Sequence, residues 1–320
     1  MKIQGIGKDV SGGFIDGHLD RLERALSYYE QLGFSVAEVP IDGLLVVING
    51  RLLPQRVQAV KQILSRFSFR YTVHAPNRTN LAYGHHHELE KSVLRAAIEF
   101  CAEINAKNLV YHSGLQALDA AHSGRVLLPD DDQLKRGIDK EIIALRELGD
   151  IAGDADVIIG MENGDPHLWE YVVLQHNQKV AEELPKYHAR LRIPPIIEQL
   201  KAIDHPNVGM TLDLAHLHLA THALDDDYLE AVEQAAPWVR HLHMNDNFGK
   251  LDVGFDKETD RLPYGEADLH LPPGWAAIPF PEAFARLKDY EGDLILEIKN
   301  QYWDHFGEAL ENTKQLIDAL

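Results

Sequence analysis

Two rhythms of apolar and polar residues run along the chain. Short, β-rich apolar runs recur at residues 2–7, 35–41, 70–75, 108–113, 156–163, 208–214, 239–245 and 293–299. Between most of them lie stretches whose apolar positions return every three or four residues. Examples are "HLDRLERALSYYEQLG" (18–33), "HHELEKSVLRAAIEFCAEIN" (86–105) and "DQLKRGIDKEIIALRELGDIAG" (132–153). Near-continuous apolar strands alternating with amphipathic helices predict an α/β fold, the (β/α)8 barrel, since parallel strands buried on both faces need crossover helices. A doubly wound open sheet would compete, but it favours a G-x-G-x-x-G turn after the first strand, and "KDVSGGFIDG" lacks that spacing.

Two connections are too long for plain loops. Residues 164–205 follow the fifth strand and residues 246–281 follow the seventh. Long insertions of this kind in a compact barrel serve as lids or substrate walls. No second domain, internal repeat or low-complexity tract interrupts the pattern, so residues 1–320 read as a single barrel domain.

Composition changes this picture in three places. Fifty acidic against 31 basic residues give a net charge of −19. That balance opposes binding to a phosphate backbone, which lysines and arginines must neutralise. The single cysteine, Cys101, lies in a helical pattern, and no apolar run or N-terminal leader pattern points to a membrane. A cytoplasmic protein is expected, with a homo-oligomer left open. The third feature is the count of 18 histidines, the side chain that most often ligates metals and titrates near neutrality.

In a (β/α)8 barrel the chemistry collects at the C-terminal ends of the strands. The third strand ends in His74, the fourth in His112 and the fifth in Glu162. The sixth supplies Asp213 and then His216, the seventh His243, and the eighth Glu297. Ionisable groups closing buried strands are costly unless paired or metal-bound, and six consecutive strand ends make isolated core histidines a poor explanation. Imidazoles with bridging carboxylates suit Zn²⁺ or Mn²⁺, with Co²⁺ or Mg²⁺ as further options. The loop "EADLHLPPGWAAIPF" adds Asp268 and His270. Lys299 shares a face with Glu297 and is a candidate to hold a substrate oxygen, and Trp275 is a candidate apolar wall beside a substrate, with plain packing as the other reading. His241, two before His243, is expected one layer deeper as a hydrogen-bond partner. His85, His86 and His87 are expected on a helix start at the rim. His18, His122, His167, His176, His188, His205 and His305 are expected at the surface, and His218 and His222 carry no assignment.

The set His74, His112, Glu162, Asp213-x-x-His216, His243-x-Asn-Asp246, Asp268-x-His270 and Glu297 resembles the xylose isomerase-like TIM-barrel superfamily. That superfamily includes endonuclease IV, ketose 3-epimerases and sugar phosphate isomerases. In its sugar branch the resemblance implies one divalent metal on Glu162, Asp213, His243 and Glu297, with Glu162 and Glu297 moving protons and His216 touching a substrate hydroxyl. The implied activity is isomerisation or epimerisation of a sugar, polyol or keto-sugar, or a related dehydration by the same proton abstraction. The endonuclease IV branch implies instead three zinc ions and phosphodiester hydrolysis at abasic DNA. One ion would lie on His74, His112 and Glu162, a second on Glu162, Asp213, His243 and Glu297, and a third on His216, Asp268 and His270. The chain departs from ketose 3-epimerases in carrying Leu168 and Gly249 where they carry glutamate and arginine. It departs from endonuclease IV in its "HAPNRTNLA" loop, in Ala276 and in its charge.

Overall fold

A computed structural model describes residues 1–83, 86–112, 118, 127–252 and 258–319. Among the described residues there are ten strands: β1 (Lys2–Asp9), β2 (Val36–Pro40), β3 (Val47–Ile48), β4 (Arg51–Leu52), β5 (Arg70–His74), β6 (Asn108–Tyr111), β7 (Ile158–Glu162), β8 (Val208–Asp213), β9 (Val239–Met244) and β10 (Glu291–Leu296). Eight of them close into a parallel barrel in the order β1-β10-β9-β8-β7-β6-β5-β2, while β3 and β4 form a small antiparallel hairpin. The eight barrel strands are those of the apolar pattern, with ends shifted by a few residues. The hairpin escapes that pattern because each of its strands holds two residues, too few to show a period.

Helices span the connections. The long ones are Leu19–Leu32, Pro54–Leu64, His87–Ile104, Asp131–Asp154, Ile193–Ile203, Leu214–Leu224 and Phe306–Asp318. Each turns an apolar stripe onto the barrel; Leu94, Ala97, Ile98 and Cys101 of one helix are wholly buried, which is the packed role expected of the cysteine. The 164–205 insertion folds into a helix over Leu168–His176, short helical turns through Leu191, and then the barrel helix Ile193–Ile203. Among the described residues no helix is long and apolar enough to cross a membrane. His85, His122 and the predicted end of the fourth strand at residue 113 lie outside the described residues.

Strand register sets the position of every functional side chain. Pro40 pairs with His74, Glu162 with Thr211, Asp213 with His243, and Ile295 with His243, all at the C-terminal rim. Glu297 lies one residue past β10, where its backbone N–H still donates to the Met244 carbonyl. Gly160, two residues before Glu162 and so on the same strand face, leaves space for Thr211: a Cβ there would meet the threonine hydroxyl at 2.1 Å.

Candidate metal centre

Among the described residues the rim carries five candidate ligand groups; two join Glu38 to His241 and His243 or to His74 and Glu297, and the other three are the expected sets. His74, His112 and Glu162 form the first, Glu162, Asp213, His243 and Glu297 the second, and His216, Asp268 and His270 the third; within each, the candidate ligand atoms lie within 4.8 Å of one another. Glu162 belongs to both of the first two. Its Oε2 lies 2.8 Å from His112 Nε2, and its Oε1 lies 2.8 Å from His243 Nδ1. Glu297 reaches the same His243 nitrogen at 3.3 Å.

Each imidazole is aimed by what holds its other nitrogen. His74 Nδ1 sits 2.7 Å from the Ala75 carbonyl, His216 Nδ1 3.0 Å from that of Asn163, and His270 Nδ1 2.7 Å from that of Glu297. A carbonyl can only accept, so each Nδ1 carries a proton, and it is the deprotonated Nε2 of the neutral ring that would face a cation. His243 is turned the other way round. Its Nε2 lies 3.0 Å from Glu38, which leaves Nδ1 facing Glu162 and Glu297. This anchoring of the outer nitrogen is the arrangement that orients metal-ligating histidines.

The carboxylates are divided in the same way. Asp213 caps the helix Leu214–Leu224, its Oδ1 accepting the backbone N–H groups of Ala215 and His216 at 2.7 Å each. Asn163 clamps the Asp213 backbone through both ends of its side-chain amide, at 2.8 and 3.0 Å. Asp213 Oδ2 is buried with no hydrogen-bond partner among the described residues, and so is Asp268 Oδ1. Orphaned carboxylate oxygens surrounded by imidazole lone pairs are a poor protein interior but a good cation site. The donor set, imidazole nitrogen with carboxylate oxygen, fits Zn²⁺ or a similar ion.

Electrostatics carry the same message. Burial and the neighbouring Glu162 charge push the Glu297 carboxyl up to about 8. Burial alone pulls the His270 imidazole down, but Asp268 beside it at 2.5 Å outweighs this and holds it at about 9. Without a bound cation, protons compensate the crowded negative charge.

The loop that carries Asp268 and His270 is pinned by a residue whose place in the motif did not reveal its role. Asp246 does not join any of the three groups. Its carboxylate accepts backbone N–H groups from Gly274, Ala276 and Ile278 at 2.9, 2.9 and 3.2 Å. Its backbone forms a bridge with Leu271. His270 itself adopts a left-handed backbone (φ 47°), as does Gly274 (φ 94°), the latter without steric cost. The strain at His270 is held by these bonds and turns its ring over the rim.

Two cavities of about 400 and 470 Å³ open above the rim and share Asn77, His112, His216, His270 and Lys299. Lys299 therefore faces the site, where its Nζ donates to the Asp268 carbonyl at 2.9 Å. Trp275 does not line either cavity. Its indole N–H donates to Glu308, and its ring packs edge-on against Tyr302 and His305. His241 lies one layer deeper as expected, with Nε2 2.9 Å from Glu38. Glu38 is the residue sequence reasoning missed, although a carboxylate in the apolar run "SVAEVPI" is the same signal that marked Glu162. His188 is a correction: expected at the surface, it is 2% exposed, with Nδ1 2.8 Å from Glu170. His167 also lines the larger cavity, and His218 is buried against Asn247.

Comparison with known proteins fits this geometry. Residues 26–320 match the family model described as xylose isomerase-like TIM barrel. An uncharacterized protein of Methanocaldococcus jannaschii is 25% identical over 276 residues, covering 83% of this chain and 77% of that one. Among solved structures, a D-tagatose 3-epimerase-like protein superposes with a TM-score of 0.67 at 20% identity, covering 98% of this chain and 100% of its own. The 3-keto-D-glucoside 4-epimerase YcjR of E. coli gives 0.66 at 14%, covering 98% and 100%. The IolI protein, solved with a zinc atom, gives 0.64 at 16%, covering 98% and 96%. The chain belongs to the xylose isomerase-like TIM-barrel family.

Proposed function

We propose that the protein is a divalent-metal-dependent isomerase or epimerase of a sugar, polyol or keto-sugar, with a lyase acting by the same proton abstraction as the nearest variant. The observation that carries this reading is the convergence of two glutamates on one site: Glu162 and Glu297 both reach His243 Nδ1, at 2.8 and 3.3 Å. Beside them Glu297 lines a cavity of about 400 Å³, within the range of small-molecule sites. Glu162, Asp213, His243 and Glu297 would hold the ion, which when bound polarises a substrate carbonyl and acidifies the adjacent C–H. One glutamate then takes the carbon-bound proton and the other returns one. His216 and Lys299, both on the cavity wall, hydrogen-bond substrate oxygens. The structural neighbours, a D-tagatose 3-epimerase-like protein, a 3-keto-D-glucoside 4-epimerase and a protein with bound zinc, support this reading.

The test is proton exchange in heavy water, followed by NMR, with zinc- or manganese-loaded protein and a panel of ketoses that includes D-fructose, D-tagatose and D-psicose. Exchange at the carbon next to the carbonyl is expected, and Glu297→Gln should slow it by about 10²–10⁴-fold. Exchange that Glu297→Gln leaves unchanged refutes the two-glutamate scheme.

A second reading has its own observation. The groups His74–His112–Glu162 and His216–Asp268–His270 lie beyond what a single-ion site needs. Three ions could activate water and neutralise a phosphodiester together. Cleavage of a duplex containing an abasic site by nanomolar protein would establish this hydrolase and displace the first reading.

A further inference from the structure

One charged residue interrupts an otherwise apolar helix stripe. Helix Asp131–Asp154 turns Leu134, Ala144, Leu145 and Leu148 onto the barrel, and Glu141 lies wholly buried among them. Both of its carboxylate oxygens are taken. Oε1 accepts the Tyr111 hydroxyl at 2.8 Å, while Oε2 accepts Arg190 Nη2 at 2.8 Å and Gln199 Nε2 at 2.6 Å. Arg190 Nη2 also donates to Gln199 Oε1 at 2.6 Å. Tyr111, Arg190 and Gln199 are buried as well. A buried ion pair of this kind contributes little net stability, because desolvation of the two charges offsets their attraction, so its presence calls for another reason.

That reason lies in what the partners hold. Tyr111 ends β6, next to His112 of the first metal group, and its hydroxyl oxygen accepts the Leu81 N–H at 3.1 Å. Arg190 belongs to the 164–205 insertion, and its backbone carbonyl accepts the Gly164 N–H at 3.0 Å. The residue before that glycine, Asn163, clamps the Asp213 backbone and faces His216 Nδ1 with its carbonyl. Two short routes therefore run from Glu141 to the metal groups. One passes through Tyr111 to His112, the other through Arg190, Gly164 and Asn163 to Asp213 and His216. The second crosses the insertion, so the docking of that segment and the setting of two candidate ligands are one arrangement.

We propose that Glu141 and Arg190 are positioning residues of the metal centre: their buried ion pair fixes Tyr111 and the insertion, and through them sets His112, Asp213 and His216 for a divalent cation. Glu141 itself is in none of the ligand groups, so it acts only through these neighbours. Apolar side chains would fill the same space without specifying one geometry, whereas a fully hydrogen-bonded charge cluster does specify it. The assignment concerns the metal centre alone and holds whichever reaction the ion serves.

The test reads zinc affinity by competition with a chromogenic chelator, and ligand geometry by the visible spectrum of the cobalt-substituted protein. Glu141→Leu combined with Arg190→Met replaces the ion pair by apolar side chains, an exchange that is often neutral for folding. The double variant should fold, bind zinc about tenfold more weakly, as loss of an outer partner does, and alter the cobalt spectrum. Arg190→Met alone leaves Glu141 the donors Tyr111 and Gln199, and should move both readouts in the same direction. Leu22→Ala is the control: it truncates the core on helix Leu19–Leu32 and lowers stability without touching either route, so the spectrum should stay as in the parent. A folded double variant, or a folded Arg190→Met protein, with zinc affinity within twofold of the parent and the parental spectrum overturns the proposal. So does a Leu22→Ala protein whose spectrum shifts as much as that of Arg190→Met, since lost stability would then account for the change. Failure of both variants to fold overturns it too, because the pair would then serve the fold itself.

Discussion

Replacing Glu38 by glutamine tests how the metal groups are held together. Glu38 lines the smaller cavity and spans two histidines. Its Oε1 lies 3.0 Å from His243 Nε2 and its Oε2 2.9 Å from His241 Nε2, and Oε2 also accepts the Thr72 hydroxyl at 2.8 Å. It is 1% exposed, so water does not replace these contacts. Burial raises its carboxyl, but the two imidazoles outweigh this and hold it well below the usual range, so it is charged at neutral pH. A carboxylate charge 3.0 Å from Nε2, though not aligned for a hydrogen bond, favours a proton there and raises the basicity of Nδ1, the atom that faces Glu162 and Glu297. The side-chain amide of glutamine offers one neutral acceptor and one donor, so at least one histidine loses its acceptor. Loss of such an outer partner weakens metal binding by about 10–100-fold, or roughly 1.4–2.8 kcal/mol. Competition against a chromogenic chelator should show this shift in the zinc dissociation constant. Thr72→Val, which removes a neutral hydrogen bond to the same carboxylate, should move it far less, since such bonds contribute about 1 kcal/mol to folding and nothing to the imidazole. A Glu38→Gln protein that folds and binds zinc within twofold of the parent would refute the role given to Glu38.

Three further outcomes follow from the geometry. Because Glu162 belongs to two groups and His270 to one, Glu162→Gln should cost more bound metal than His270→Ala, counted by inductively coupled plasma spectrometry on dialysed protein; equal losses would deny the shared ligand. Asp246→Ala should release the 266–280 loop by removing the acceptor of Gly274, Ala276 and Ile278, which faster amide hydrogen exchange over the loop would show; exchange that does not change would contradict the anchoring. Burial raises the Glu170 carboxyl, but His188 and His167 bring it to about 2, so its stabilisation is complete above its unfolded value of 4.5 and is lost as pH falls towards 2. That shift is worth about 3 kcal/mol, divided between two imidazoles, and Glu170→Gln should flatten the acid limb of the melting temperature against pH in that window.

The sequence displayed the barrel and most of its rim because both signals are local. A buried parallel strand is apolar over several residues, and an ionisable residue at its end stands out against that run. What stayed hidden depended on contacts between distant segments. Glu38 meets His243 more than two hundred positions away, and nothing around "VAEVP" indicates which strand lies across the barrel. His188 sits in "PKYHARL", with charged neighbours typical of surface chain, and is buried only because the insertion folds back over Glu170. Trp275 looked like a sugar-facing ring because it follows the loop ligands. The left-handed turn at Gly274 directs it outward to Glu308, and backbone dihedrals of that kind are not encoded in residue spacing.

The composition of the rim makes its members depend on one another. Glu38, Glu162, Asp213, Asp268 and Glu297 converge with six imidazoles at the top of an otherwise apolar barrel, and most of these groups are sealed from water. Carboxylates so close cannot all remain charged at low dielectric cost, and Glu297 at about 8 and His270 at about 9 show protons taking up the imbalance. A divalent ion would do the same task with more charge and would displace those protons, so metal binding and proton release are linked here. Removing one carboxylate leaves imidazoles and orphaned oxygens without a common partner, a worse state than the complete set. The barrel below owes its stability to apolar packing, whereas the rim needs protons or cations to balance its carboxylates, and that difference separates the part of this chain that folds from the part that acts.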